Sequence, residues 1–201
     1  MSEKEPRKES GFALRIETRI GLVGVQWNPT GLLTGIRWID ETETASSEKI
    51  PPVPAPICKF LGLLQTYFES GEPIGEIPWG SLDVQRWSDF QQRVYTAISK
   101  IPHGETRTYG WVASRVGAPF AGRAVGQALR RNPYMILIPC HRVLPTTGGL
   151  GGFMGEDDPA KPELQIKKRL LDLEETYRNP TFSFLDALLG SPEAADSEAI
   201  A

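Results

Sequence analysis

Between Thr108 and Pro133 the chain is confined to two short helices and a break. Thr108 can cap Tyr109-Gly110-Trp111-Val112-Ala113-Ser114-Arg115-Val116, and Gly117-Ala118-Pro119 interrupts the pattern. Helical spacing then resumes from Ala121 to Arg131 until Asn132-Pro133 stops it. Helix, glycine-containing break, helix is the pattern of a helix-turn-helix, although two helices packed in a core give it too. The second helix is both small and basic, with Gly122, Arg123, Ala124, Gly126 and Ala128 followed by Arg130 and Arg131. A helical glycine costs about 1 kcal/mol relative to alanine. Two of them imply a close backbone approach, either to a neighbouring helix or to a surface that carries phosphates.

The charge distribution favours the phosphate surface. The net charge of the 201 residues is −3, yet residues 86–170 hold 13 Lys and Arg against 6 Asp and Glu. Residues 1–85 and 171–201 are acidic. A basic centre between acidic ends is the footprint of a polyanion-binding face. No apolar run is long enough for a membrane span, and the mixed-charge opening, residues 1–10, lacks the apolar core of a signal peptide.

The first half reads as an antiparallel meander, with strands over Phe12–Ile16, Gly21–Trp27 and Leu32–Ile39 and a turn at Asn28-Pro29-Thr30-Gly31. A helix is predicted from Ile57 to Glu69, with Phe60, Leu61, Leu64, Tyr67 and Phe68 at helical spacing and a stop at Ser70-Gly71. The loop through Pro73 and Pro78-Trp79-Gly80 marks a domain boundary. Beyond it, Ser88 and Gln91 form a capping box for a helix with Phe90, Val94, Tyr95 and Ile98 on its apolar face. The expected division is a tail at 1–10, an α/β domain at 11–85, a helical domain at 86–178 and an acidic tail at 179–201.

Two cysteines and two histidines are too few for a disulfide framework or a zinc finger, so no metal or cofactor is expected. Cys58, in an apolar helix, reads as an inert core residue. Cys140 differs. The apolar run Met135-Ile136-Leu137-Ile138, expected to be a buried strand or extended segment, delivers it into Pro139-Cys140-His141-Arg142-Val143. Proline stiffens the turn, and a flanking imidazole and guanidinium would increase the thiolate fraction.

Pro139-Cys140-His141-Arg142-Val143 follows Ile101-Pro102-His103-Gly104-Glu105-Thr106, Thr108-Tyr109-Gly110, Arg123-Ala124-Val125-Gly126 and Asn132-Pro133. In order and spacing these motifs resemble the O6-alkylguanine-DNA alkyltransferase family over residues 86–155. The resemblance is weaker in the first half, where Leu64-Gln65-Thr66-Tyr67-Phe68-Glu69-Ser70-Gly71 is similar to the family's interdomain helix. It implies an α+β fold, with a small ribonuclease H-like antiparallel-sheet domain followed by a winged helix-turn-helix DNA-binding domain that carries the active cysteine. It also implies single-turnover repair, in which an O6-alkylguanine is flipped out of double-stranded DNA and its alkyl group moves irreversibly to the protein's own cysteine. O4-alkylthymine and the accepted alkyl sizes stay open. A monomer acting in the cytoplasm on the nucleoid, or in a eukaryotic nucleus, is expected.

By that resemblance Cys140 is the nucleophile, His141 activates it through a water, and Glu174 orients His141, with Glu175 as its nearest competitor. Tyr109 donates to the leaving guanine and Asn132 braces the turn. The backbone at Cys140 and Val143 reads the exocyclic amine, and Leu129, Phe153 and Met154 complete the substrate pocket. Arg123 fills the vacated base stack, with Thr108, Gly122, Ala124, Gly126, Arg130 and Arg131 beside it on DNA. Phe153-Met154 stands where the family usually has tyrosine and a small residue, and Asp157 to Glu163 lengthen the interval to Glu174. The segment 156–166, which opens with three carboxylates, is expected to point away from the duplex. Two other classes share parts of this pattern: a lesion-binding protein without chemistry, which carries a different residue in place of Cys140, and a thiol hydrolase, which needs neither the paired helices nor the basic centre.

Overall fold

The computed structural model describes residues 14–43 and 52–179. The expected tails at 1–10 and from 180 onward, and the predicted strand residues Phe12 and Ala13, lie outside them. Three strands, β1 (Leu14–Thr18), β2 (Gly21–Trp27) and β3 (Leu33–Ile39), form an antiparallel sheet in that order. Val23 faces Trp38 and Val25 faces Ile36 across β2 and β3. The intervening turn is held by Asn28, whose side-chain oxygen accepts from the backbone of Thr30 and Leu32 at 3.1 and 2.9 Å.

Helix α1 (Ala55–Ser70) lies against this sheet through Ile57, Phe60, Leu64, Tyr67 and Phe68, with the Phe68 ring 5.8 Å from Trp38 in an edge-on pair. Cys58 falls one residue off that stripe and is exposed. The expected core cysteine is therefore a surface thiol. Gly71 closes α1 in the left-handed conformation, φ +78°, its N–H donating to the Tyr67 carbonyl.

The second half begins with α2 (Asp89–Ile98), whose predicted capping box is formed: Ser88 Oγ accepts from the Gln91 backbone while Gln91 Oε1 accepts from Ser88 N–H. Thr108 caps α3 (Tyr109–Arg115) by accepting from Trp111 N–H at 3.1 Å, and a turn leads into α4 (Gly122–Arg130). Val94, Tyr95 and Ile98 meet Val112, Ala113, Val125, Ala128 and Leu129 in one core continuous with that of the sheet. A short parallel ladder joins β4 (Arg107–Thr108) to β5 (Val143–Leu144), and α5 (Pro162–Arg178) closes the molecule. The fold is mixed α/β, with no described helix long and apolar enough to cross a membrane.

The run Met135–Ile138 is not a strand. Only Tyr134 bridges to the sheet, with Ile36 N–H donating to the Pro133 carbonyl at 2.8 Å and Met135 N–H to the Ile36 carbonyl at 3.1 Å. The chain then folds on itself. Leu137 N–H reaches back to Met135 across Ile136 at φ +73°, and Cys140 N–H reaches back to Ile138 across Pro139. These are two γ-turns in succession, the first of the strained positive-φ kind. Burial of every side chain from Tyr134 to Ile138 holds this compact knot against its strain.

The seam between α1 and α5 is close at Gly71, where a Cβ would lie 2.6 Å from the Leu173 carbonyl and 3.0 Å from Tyr177 Cβ. Gly117, φ +74°, has nothing within 4 Å of such a Cβ. Gly117→Ala is expected to cost only the left-handed penalty of about 1 to 2 kcal/mol. Gly71→Ala adds a backbone clash and should reach about 3 kcal/mol in urea unfolding, near the top of ordinary single substitutions.

Candidate active site

Cys140 opens the 3₁₀ turn Cys140–Arg142, immediately after the γ-turn at Pro139. Cys140 is 7% exposed and forms part of the wall of a cavity of about 580 Å³. One side of the cavity is α4, through Gly122, Arg123, Gly126, Leu129 and Arg130; Tyr109 of α3 stands beside it. The other side is Gly152, Phe153, Met154 and Gly155. Asn132 fixes the sulfur from behind: its Nδ2 donates to the Ile138 carbonyl at 2.7 Å and to Cys140 Sγ at 3.2 Å, while its Oδ1 accepts from Tyr134 N–H at 3.0 Å.

Burial pushes the Cys140 thiol up, only partly opposed by the Asn132 hydrogen bond and the charge of Lys167. Burial thus outweighs the gain in thiolate expected from the flanking residues. Arg142 does not act on the sulfur because its guanidinium is committed elsewhere: Nε and Nη2 donate to the two oxygens of Glu174, both at 2.8 Å, and Nη1 donates to the Ile101 carbonyl at 2.8 Å.

Glu174 is wholly buried on α5, whereas its competitor Glu175 is exposed. Its Oε1 also accepts from His141 Nε2 at 2.8 Å and from the Tyr67 hydroxyl at 2.9 Å, and its Oε2 accepts from Gly104 N–H at 3.0 Å. Burial would raise this carboxyl, but the hydrogen bond from His141 and the charge and hydrogen bonds of Arg142 hold it well below the usual carboxylate range. Burial lowers His141 and so favours neutral imidazole, against the opposing pull of Glu174. Because an ionised carboxylate can only accept, the imidazole proton is on Nε2, and buried Nδ1 keeps its lone pair with no hydrogen-bond partner among the described residues.

Two participants carry no recognisable signal in the sequence. Lys167, fully buried on α5, donates to the carbonyls of Val143, Leu150 and Gly152 at 2.8, 2.6 and 3.3 Å and lies 5.9 Å from the Phe153 ring centroid. Burial lowers it to about 8. It clamps the loop bearing Phe153 to the strand leaving Cys140. Tyr67, placed by its spacing in the α1 core, also carries the hydroxyl that reaches Glu174. Burial and the carboxylate charge hold that phenol protonated. Lys167 and Glu174 share the inward face of α5 with Leu164 and Leu170, a spacing that marks the face but not the charges.

The remaining predicted residues divide. Tyr109 lines the cavity, its hydroxyl donating to the Gly152 carbonyl at 3.3 Å. Val143 does not line it: its carbonyl is taken by Lys167 and its N–H by Cys140. Thr108 serves as a helix cap, and Ala124 and Arg131 are exposed outside the cavity wall. Phe153-Met154-Gly155-Glu156 is a tight hairpin with positive φ at Met154 and Gly155 and reciprocal backbone bonds of 2.8 and 2.9 Å. A Cβ at Gly155 would lie 2.5 Å from Arg130 Nε, so glycine lets the arginine lie across the turn. Glu156 and Asp157, at the start of segment 156–166, line the cavity where this hairpin turns the chain back beside Arg130.

A family model described as the DNA-binding domain of 6-O-methylguanine DNA methyltransferase matches residues 89–176. The methylated-DNA–protein-cysteine methyltransferase of Mycobacterium tuberculosis is 38% identical over 156 residues, which cover 77% of this chain and 87% of that protein. The constitutive enzyme of that name from Bacillus subtilis is 36% identical over 137 residues, covering 68% and 76%. Among solved structures, Mycobacterium tuberculosis OGT in complex with DNA superposes with a TM-score of 0.65 at 35% identity over 81% of this chain and 92% of that one. The chain belongs to the methylated-DNA–protein-cysteine methyltransferase family.

Proposed function

We propose that this protein repairs DNA directly, moving the alkyl group of O6-alkylguanine to Cys140 in a single irreversible turnover. The observation that carries this reading is the Cys140 sulfur on the wall of a cavity bounded by α4, with His141 held by Glu174 behind it. Family membership supplies the reaction, and this geometry supports the assignment of residues to it. Residues 11–85 act as a ribonuclease H-like support and 86–178 as a winged helix-turn-helix that meets double-stranded DNA.

With its lone pair on Nδ1, His141 takes the thiol proton through a bridging water. The sulfur attacks the alkyl carbon in line, an S–C bond forms, and the C–O6 bond breaks with its electron pair moving to the guanine. The proton returns to the purine, with Tyr109 as donor to the leaving ring, and a thioether remains on Cys140. Asn132 keeps the sulfur aimed, while Leu129, Phe153 and Met154 enclose the flipped base. Arg123, exposed on a helix of small residues, occupies the space the base leaves, and Arg130 and Arg131 meet phosphates.

After incubation with an O6-methylguanine duplex, intact mass and peptide mapping should find one added methyl, on Cys140. A methyl on exposed Cys58, or none, would reject the assignment, and binding without methylation would identify a lesion-binding protein. Arg123→Ala should slow transfer from duplex far more than transfer from the free base, since only the duplex route must offset an unstacking cost of a few kcal/mol. Equal losses would make it a pocket residue. Glu174→Gln should slow transfer by about 10²- to 10⁴-fold by freeing the His141 ring, the range typical of acid–base partners.

A further inference from the structure

Phe120 stands wholly in solvent, 101% exposed, while the other large exposed apolar side chains among the described residues do not exceed 44%. It occupies the turn that leads into α4, directly before the N-cap Ala121. An apolar residue there ordinarily folds back onto the fourth residue of the helix. That residue is Val125, fully buried, and Phe120 makes no use of it. The turn itself is well fixed: Ala118 N–H donates to the Ala113 carbonyl at 2.9 Å, Ala121 N–H donates to the Ala118 carbonyl at 2.8 Å, and Pro119 restricts φ between them. A rigid backbone thus presents an aromatic ring that the fold does not bury.

The surroundings indicate what covers it. Arg123 is three residues away, and Arg115, Arg130 and Arg131 are also exposed. A single exposed ring on a segment that also carries these exposed cations is not the contiguous apolar patch of a protein–protein contact. It suits nucleic acid, which offers phosphates to the cations and base faces to the ring. Resting on the reading of α4 as the DNA-entering helix, we propose that Phe120 is a second wedge, packing against the base step beside the extruded nucleotide while Arg123 occupies the vacated position. The two side chains then divide the work: Arg123 replaces the missing base, and Phe120 keeps the neighbouring step unstacked.

The test uses the full chain carrying Cys140→Ser, so that binding is read without alkyl transfer, and a lesion duplex with 2-aminopurine next to the O6-methylguanine. Binding should raise the 2-aminopurine fluorescence when Phe120 is present and not with Phe120→Ala, and affinity should fall about tenfold, in the range of one lost aromatic–base stack. Phe120→Leu should retain part of both effects. Unchanged fluorescence and affinity in Phe120→Ala would overturn the proposal, as would a loss of self-association in sedimentation equilibrium without any change on DNA. Circular dichroism melting of each variant should match the parent, because Phe120 buries nothing. If the protein fails to methylate Cys140 but these responses hold, the chemistry assigned to the site fails and the wedge stands.

Discussion

The carboxylate of Glu174 accepts five hydrogen bonds in a buried site, and the geometry around the thiol depends on it. Its donors come from α1 through Tyr67, from the loop at Gly104, and from the turn of Cys140 through His141 and Arg142. One side chain on α5 therefore joins the sheet-bearing half, the reactive turn and the loop before α3. A buried charge is tolerated only when fully paired, and here Arg142 supplies the compensating charge in a two-pronged contact. Removing either partner leaves the other charged in a dry environment, which typically costs about 3 to 5 kcal/mol. The same bonds decide the chemistry. Burial makes the thiol a weaker acid, so a base is required, and Glu174 fixes which imidazole nitrogen is that base.

Strain and a second buried charge complete the support. Ile136 holds φ +73° in a γ-turn, a conformation that costs on the order of 1 to 3 kcal/mol in a β-branched residue. It is stabilised by the buried packing of Tyr134 to Ile138 and by the Tyr134 hydroxyl, which shares its one proton between the carbonyls of Leu33 and Asp83, both at 2.8 Å. The compact knot sets where Pro139 begins the turn. On its far side, Lys167 gathers three carbonyls and thereby holds the Phe153 loop at the cavity. Helix α5 thus delivers one anion to the base and one cation to the substrate wall, about two turns apart on one face.

Much of this was legible in the residues because local rules and tertiary demands agree. Thr108 and Ser88 are caps in the sequence and in the fold, and the three strands fall close to where alternation and turns place them, whereas Glu174 is reached only through the family resemblance. What escaped has one physical character: its state depends on long-range partners. Lys167 and Tyr67 look like an ordinary solvated cation and an ordinary core aromatic until distant carbonyls and a distant carboxylate are brought to them. Met135–Ile138 has the composition of a strand, but this segment meets the edge of β3 only at Ile36, Leu33 being paired with Leu82, so the rest coils. Cys58 lies one position off an apolar stripe, a difference that helix periodicity resolves only when the helix phase is known. The place of Glu156 and Asp157 on the cavity wall likewise depends on the tight turn at Met154-Gly155, whose positive φ at Met154 no local rule announces.

The ring nitrogens of His141 offer the most direct view of this arrangement. With ¹⁵N-labelled histidine, NMR of the resting protein at neutral pH should show a neutral imidazole with the proton on Nε2 and an unprotonated Nδ1, and Glu174→Gln should disturb that preference. A resting imidazolium, or a neutral ring carrying its proton on Nδ1, would contradict the account, because no lone pair would then be available to receive the proton of Cys140.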